Sequence, residues 1–133
     1  MFEPGDTLLI ETNYNDRGEI QNHLFVIILK FENKTKLTII IPISTLNSPK
    51  QDRQTVLTMG CHEFINHESY VNYGRANLIS EEQLNNLITE GQVKRKSRFE
   101  EPYFSRICDG ILKSHFTPPD VREHYQDYIF KKL

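Results

Sequence analysis

The stretch that decides the fold is Leu24-Phe25-Val26-Ile27-Ile28-Leu29, followed after a polar gap by Leu37-Thr38-Ile39-Ile40-Ile41-Pro42-Ile43. Both runs are short, continuous and rich in β-branched residues, which reads as buried strand rather than helix. Pro42 has no backbone donor, so it predicts an edge, a bulge or the end of its strand. The connection Glu32-Asn33-Lys34-Thr35-Lys36 is hairpin-like. Neither run approaches the roughly twenty apolar residues of a membrane span.

Toward the N-terminus, the turn former Pro4-Gly5-Asp6 precedes a further strand, Thr7-Leu8-Leu9-Ile10-Glu11. The polar segment Asn13-Tyr14-Asn15-Asp16-Arg17-Gly18 suits a turn or a mobile flap. Toward the C-terminus, a polar loop at 44–53 leads to a short alternating strand, Gln54-Thr55-Val56-Leu57-Thr58. Tyr70-Val71-Asn72-Tyr73 and Ala76-Asn77-Leu78-Ile79 form one interrupted strand, with Gly74 as its bulge.

From Ser80 the apolar period changes from two to that of a helix. Ser80-Glu81-Glu82-Gln83 is a capping box, Leu84, Leu87 and Ile88 share a face, and Gly91 suits the stop. The basic run Lys94-Arg95-Lys96-Ser97-Arg98 reads as a solvated linker, with a contact for RNA or an acidic partner segment as the alternative. Phe104, Ile107, Ile111 and Leu112 predict a second helix, weakened at Gly110. Thr117-Pro118-Pro119-Asp120 opens a third, with a threonine cap, a proline at the first helical position and an acid in the first turn. Val121, Tyr125, Tyr128 and Ile129 are its apolar stripe.

Strands early and helices late predict an α+β, mainly β domain or a decorated small barrel. Alternating βαβ units are absent, which argues against a doubly wound nucleotide-binding fold. The 133 residues make one domain, with strands over 1–79 and a helical part over 80–133. Hydrophobic residues at 38% suffice for a core, and six Tyr and eight Phe supply bulky packing or stacking surfaces. A net charge of −2 disfavours sequence-independent binding to long nucleic acids, while leaving room for a few local cations on one phosphate. Cys61 and Cys108, without a signal-peptide pattern, predict reduced thiols in a soluble cytoplasmic protein with no membrane partner.

The order of segments resembles the MazF/PemK family of type II toxin–antitoxin systems. The residues that carry the resemblance are Gly5-Asp6-Thr7-Leu8-Leu9-Ile10, Gly18-Glu19, His23 leading into Val26-Ile27-Ile28-Leu29, Ile41-Pro42-Ile43-Ser44-Thr45, and Ala76-Asn77-Leu78-Ile79 before a capped helix. The resemblance implies a small SH3-like barrel that cleaves single-stranded RNA through attack of a 2′-hydroxyl on its own phosphate, with neither metal nor cofactor. It further implies a cognate antitoxin protein and a homodimer. The family's arginine–proline pair before the second strand is replaced here by Asn22-His23-Leu24-Phe25, while its Thr or Ser after the third strand stands as Ser44-Thr45.

That chemistry needs a proton acceptor, a proton donor and a stabiliser of phosphorane charge. His23, Thr45, His67 and Arg75 are the catalytic candidates, with Arg75 standing in for the missing cation. Ser44, His62, Ser69, Tyr70 and Tyr73 are the substrate-binding candidates. The segment Cys61-His62-Glu63-Phe64-Ile65-Asn66-His67-Glu68-Ser69-Tyr70 concentrates acid–base side chains. Cys61, His62 and His67 lack the CxxC or HxxxH spacing of a zinc site. The bland reading of each candidate is strand-start, turn or core packing. The competing function is a catalytically inactive barrel that binds a peptide, a nucleic acid or a small ligand through the same concavity.

Overall fold

The computed structural model describes residues 2–12, 21–31 and 36–131. The expected flap at 13–18, the Gly18-Glu19 pair and most of the 32–36 connection lie outside the described residues. The chain folds as α+β, with antiparallel strands β1 (Thr7–Thr12), β2 (Gln21–Ile27), β3 (Leu37–Thr45), β4 (Val56–Leu57), β5 (Ser69–Val71), β6 (Asn77–Ser80) and β7 (Val93–Lys96). Helices α1 (Glu81–Thr89), α2 (Tyr103–Lys113) and α3 (Pro119–Lys131) complete it.

The strands run β4-β5-β3-β2-β1-β7, with β6 also beside β3. The sheet is open, which corrects the expectation of a closed SH3-like barrel. At the place where β4 would meet β7, the 58–65 turn intervenes and side chains replace the ladder. His62 Nε2 bonds the Ser97 carbonyl at 2.7 Å, and the Glu63 carboxylate accepts from the Ser97 amide and hydroxyl at 3.1 and 2.8 Å.

Both faces of the sheet are covered, and for that reason the deciding runs are continuous rather than alternating. Leu24, Val26, Ile39, Ile41 and Ile43 pack with Ile107 and Ile111 of α2 and Val121 of α3. Phe25, Ile27 and Ile40 turn the other way, toward Leu84 of α1 and Val93 of β7. Burying an aliphatic side chain of this size stabilises by roughly 1.5–3 kcal/mol, so these two layers hold the sheet in place.

Pro42 stands inside β3, paired with Phe25 of β2, rather than at an edge or an end. β6 pairs with β3 over Leu37–Ile40 and β5 over Ile43–Thr45, so that edge of β3 is interrupted at Pro42. The Pro42 carbonyl points into the interruption and accepts from the Asn72 amide at 2.9 Å. The imide nitrogen faces the same side, where the ladder requires no donor. A 3₁₀ turn at Tyr73–Arg75 fills the gap, and it is the break expected near Gly74.

The capping box closes as read: Ser80 Oγ accepts from the Gln83 amide at 3.1 Å, and Gln83 Oε1 from the Ser80 amide at 2.9 Å. Gly91 adopts φ 76° after the helix, a left-handed conformation suited to glycine. Thr117 departs from the expected cap, because its hydroxyl donates to the Ile111 carbonyl of α2. The Pro118 carbonyl takes the first bond of α3, from the Arg122 amide, and Pro119 holds the first helical position.

The basic run is not a linker. Val93–Lys96 is a terminal strand whose pairing sets Ile10 against Val93 and Leu9 against Lys94. Its side chains alternate: Val93 is buried and Arg95 lies over the Phe2 ring, while Lys94 and Lys96 take the opposite face. Arg95 and Arg98 both pair with Asp6, at 2.9 and 3.3 Å. Such a short, cationic strand suits a sheet margin, because charge there discourages further pairing.

Candidate functional site

The β3–β5 pairing sets Thr45 against Ser69 and Ser44 against Tyr70. On the other side, β2 sets Leu24 against Ile43 and brings His23 alongside. These registers open a cleft of about 380 Å³ lined by His23, Ser44, Thr45, Phe64, His67 and Ser69, among others. Five of the residues singled out from the sequence therefore meet at one place: His23, Ser44, Thr45, His67 and Ser69.

At its lip stands a three-residue chain of hydrogen bonds. The Asn66 Oδ1 lies 2.6 Å from His67 Nδ1, and His67 Nε2 lies 2.8 Å from Thr45 Oγ1. An amide oxygen only accepts, so Nδ1 carries a proton. In the neutral ring, Nε2 then receives the Thr45 hydroxyl proton. In the imidazolium the same bond reverses, and Nε2–H donates to the threonine oxygen. A hydroxyl can donate or accept, so the contact is compatible with either form of the ring.

His23 differs. It is half-buried on β2, and its pKa lies below the ordinary imidazole value, first through burial and second through the positive charge of Arg75. The ring is thus kept neutral near pH 7, the state required of a proton acceptor. Arg75 itself is exposed on the 3₁₀ turn, outside the cleft lining, and its charge reaches the site through this effect.

The loops under the site are stitched. Gln51 Oε1 accepts from the amides of Asn47 and Ser48, and its Nε2 donates to the Thr45 carbonyl at 3.2 Å. Asn72 Nδ2 donates to Ser44 Oγ at 3.3 Å, and Ser69 Oγ to the His67 carbonyl at 3.1 Å. Such supporting bonds hold the reactive groups in register.

Three candidates have other work. His62 is buried: its Nδ1 accepts the Phe64 amide at 3.0 Å, while Nε2–H faces the Ser97 carbonyl and Thr7 Oγ1. It is the pin that holds the 58–65 turn to β1 and β7. Tyr70 is buried in β5 between β3 and β4. Tyr73 is fully buried, and its hydroxyl donates to the Ile107 carbonyl at 2.6 Å. Neither ring is presented for base stacking.

Sequence reasoning passed over Phe64 and Asn66, and held Lys94 only within a basic run read as a linker or as a contact for RNA or an acidic segment. Asn66 lies beside His67 in the segment already noted for its polar palette. The alternation Val93-Lys94-Arg95-Lys96 was the available sign that Lys94 shares a face with Lys96. Among the described residues, no three His, Cys, Asp or Glu side chains group as a metal site, and no helix is long and apolar enough to cross a membrane. Cys61 and Cys108 are free thiols packed against the core, and burial pushes Cys108 up to about 12. In comparison with known proteins, no family model and no curated protein matches this chain.

Proposed function

We propose that this chain is a MazF/PemK-like endoribonuclease that cleaves single-stranded RNA without a metal and is restrained by an antitoxin. The observation that carries the reading is the convergence of two histidines of different character, His23 and His67, on one hydroxyl-lined cleft. Neutral His23 takes the 2′-hydroxyl proton as its oxygen attacks the adjacent phosphorus. Protonated His67 gives a proton to the departing 5′-oxygen. The P–O5′ bond breaks, leaving a 2′,3′-cyclic phosphate and a 5′-hydroxyl. The hydroxyls of Ser44 and Thr45 stabilise the phosphorane, while the charge of Arg75 helps to keep His23 in its neutral, accepting state. The pair replaces the arginine of the family pattern by acid–base chemistry. An antitoxin segment laid across the cleft would block it.

The test is incubation with mixed single-stranded RNA in the presence of EDTA. The expected result is cleavage to 2′,3′-cyclic ends by the wild type and cleavage slower by about 10²–10⁴-fold in His67→Ala or His23→Ala. An inert, folded, antitoxin-free wild type would overturn the enzyme and favour a binding module. The Asn66–His67–Thr45 chain also has the nucleophile–base–orienter order of a covalent catalyst. Thr45→Val separates the two: it abolishes a reaction through the Thr45 oxygen, but only slows one in which the RNA supplies the nucleophile.

A further inference from the structure

The 58–65 turn does more than fill the gap in the sheet. It holds Phe64 at the cleft, where the residue is 42% exposed. The backbone that carries it is tied down: the Phe64 amide donates to His62 Nδ1, the Ile65 amide to the His62 carbonyl at 3.0 Å, and the Glu63 carboxylate accepts from Ser97. Hydrogen bonds from Ser97 hold the Glu63 carboxyl below its ordinary pKa, so the acceptor in this tie is a carboxylate at neutral pH.

Cations border the ring. Lys96 Nζ lies over it at 4.9 Å from the centroid. Lys94 lies on the same face of β7 and pairs in register with Leu9, itself part of the cleft lining. Phe64 therefore presents a partly exposed ring at the cleft, with the Lys96 ammonium against one face and Lys94 on the same side of β7. A flat π-surface beside cations matches a nucleobase and its phosphates, and is poorly matched to an acidic peptide, which has charge but no flat ring to offer.

We infer that Phe64 is the base-stacking platform of the cleft, and that Lys94 and Lys96 hold the phosphates of the same single-stranded RNA. The inference rests on the ribonuclease reading for its ligand, and it assigns the surface on which a base beside the cleaved phosphate lies. Stacking of this kind tolerates any base, so recognition here selects single strands rather than a sequence.

The experiment measures equilibrium binding of a short, labelled single-stranded RNA of mixed sequence, with EDTA, in a His67→Ala parent that leaves the RNA intact over the measurement. Adding Phe64→Ala or Phe64→Leu is expected to weaken binding about tenfold, and Phe64→Trp to restore it. Lys94→Gln is expected to flatten the salt dependence by about one counterion. Equal affinity for the parent, the alanine and the leucine variants overturns the platform, while wild-type cleavage would keep the ribonuclease. Tenfold loss in a protein whose wild type never cleaves RNA keeps the platform and removes the enzyme. A parent that binds no single-stranded RNA removes both.

Discussion

Two hydroxyl-centred networks in this molecule are nearly alike in geometry and opposite in setting. Thr55 Oγ1 lies 2.9 Å from the Tyr73 hydroxyl, and Thr45 Oγ1 lies 2.8 Å from His67 Nε2. The first is sealed between the 3₁₀ turn and α2, where burial pushes the Tyr73 phenol well above its usual pKa and keeps it neutral. The second sits in the open at the cleft. Bond length alone does not tell structure from chemistry. A sealed hydroxyl with fixed partners has nothing to give a substrate, whereas an exposed one exchanges partners at little cost.

The sharpest way to break this contrast is to delete one partner on each side. His67→Ala is expected to lower RNA cleavage by about 10²–10⁴-fold, the usual loss for a general acid or base. Because His67 is exposed, melting should stay within about 0.5 kcal/mol of wild type. A thermal melt beside the cleavage assay checks both. A variant that unfolds instead would show the cleft network to be structural.

On the sealed side the vulnerable position is Gly110. A Cβ built there would stand 2.0 Å from the Tyr73 hydroxyl and 2.7 Å from Thr55 Oγ1. Gly110→Ala is expected to cost about 3 kcal/mol, the upper range for overpacking, seen as a lower denaturation midpoint. Tyr73→Phe should cost about 1–2 kcal/mol by removing the bond to Ile107 and leaving Thr55 poorly satisfied. Residual cleavage per folded molecule should be unchanged in both. A selective loss of activity would tie Tyr73 to the cleft after all.

The same contrast explains what the sequence made legible. Leu24–Leu29 and Leu37–Ile43 announce buried strands because both sheet faces are covered, and the Ser80–Gln83 box is a local signal closed by local bonds. Gly110 looked like a weak point in α2, whereas it is the notch that admits Tyr73 from a distant turn. β7 was missed because only Val93 on it is buried, so the strand carries almost no apolar signal. In the site, His23 and Thr45 were singled out through the resemblance and His67 through its polar segment. Their meeting depends on registers between β2, β3 and β5, and His62 went to a structural pin because Thr7 and Ser97 arrive from far along the chain.

The smallest expected effect probes the electrostatic link between the exposed turn and the half-buried histidine. His23 is held below 6.5 by burial and then by Arg75, so the proposed reaction should show an acid limb of kcat/KM below pH 6.5. Arg75→Gln removes the second influence and leaves the first, so the limb should move upward but stop short of 6.5. Stability follows the same sign. The unfolded chain takes up this proton before the folded one, so the contribution of neutral His23 is complete above 6.5 and fades as pH falls through the folded value. Arg75→Gln should therefore narrow the window over which acid weakens the fold. A pH–rate profile beside acid denaturation reads both. If the limb stays in place while Arg75→Gln cleaves more slowly at every pH, Arg75 acts on the phosphate and not on His23.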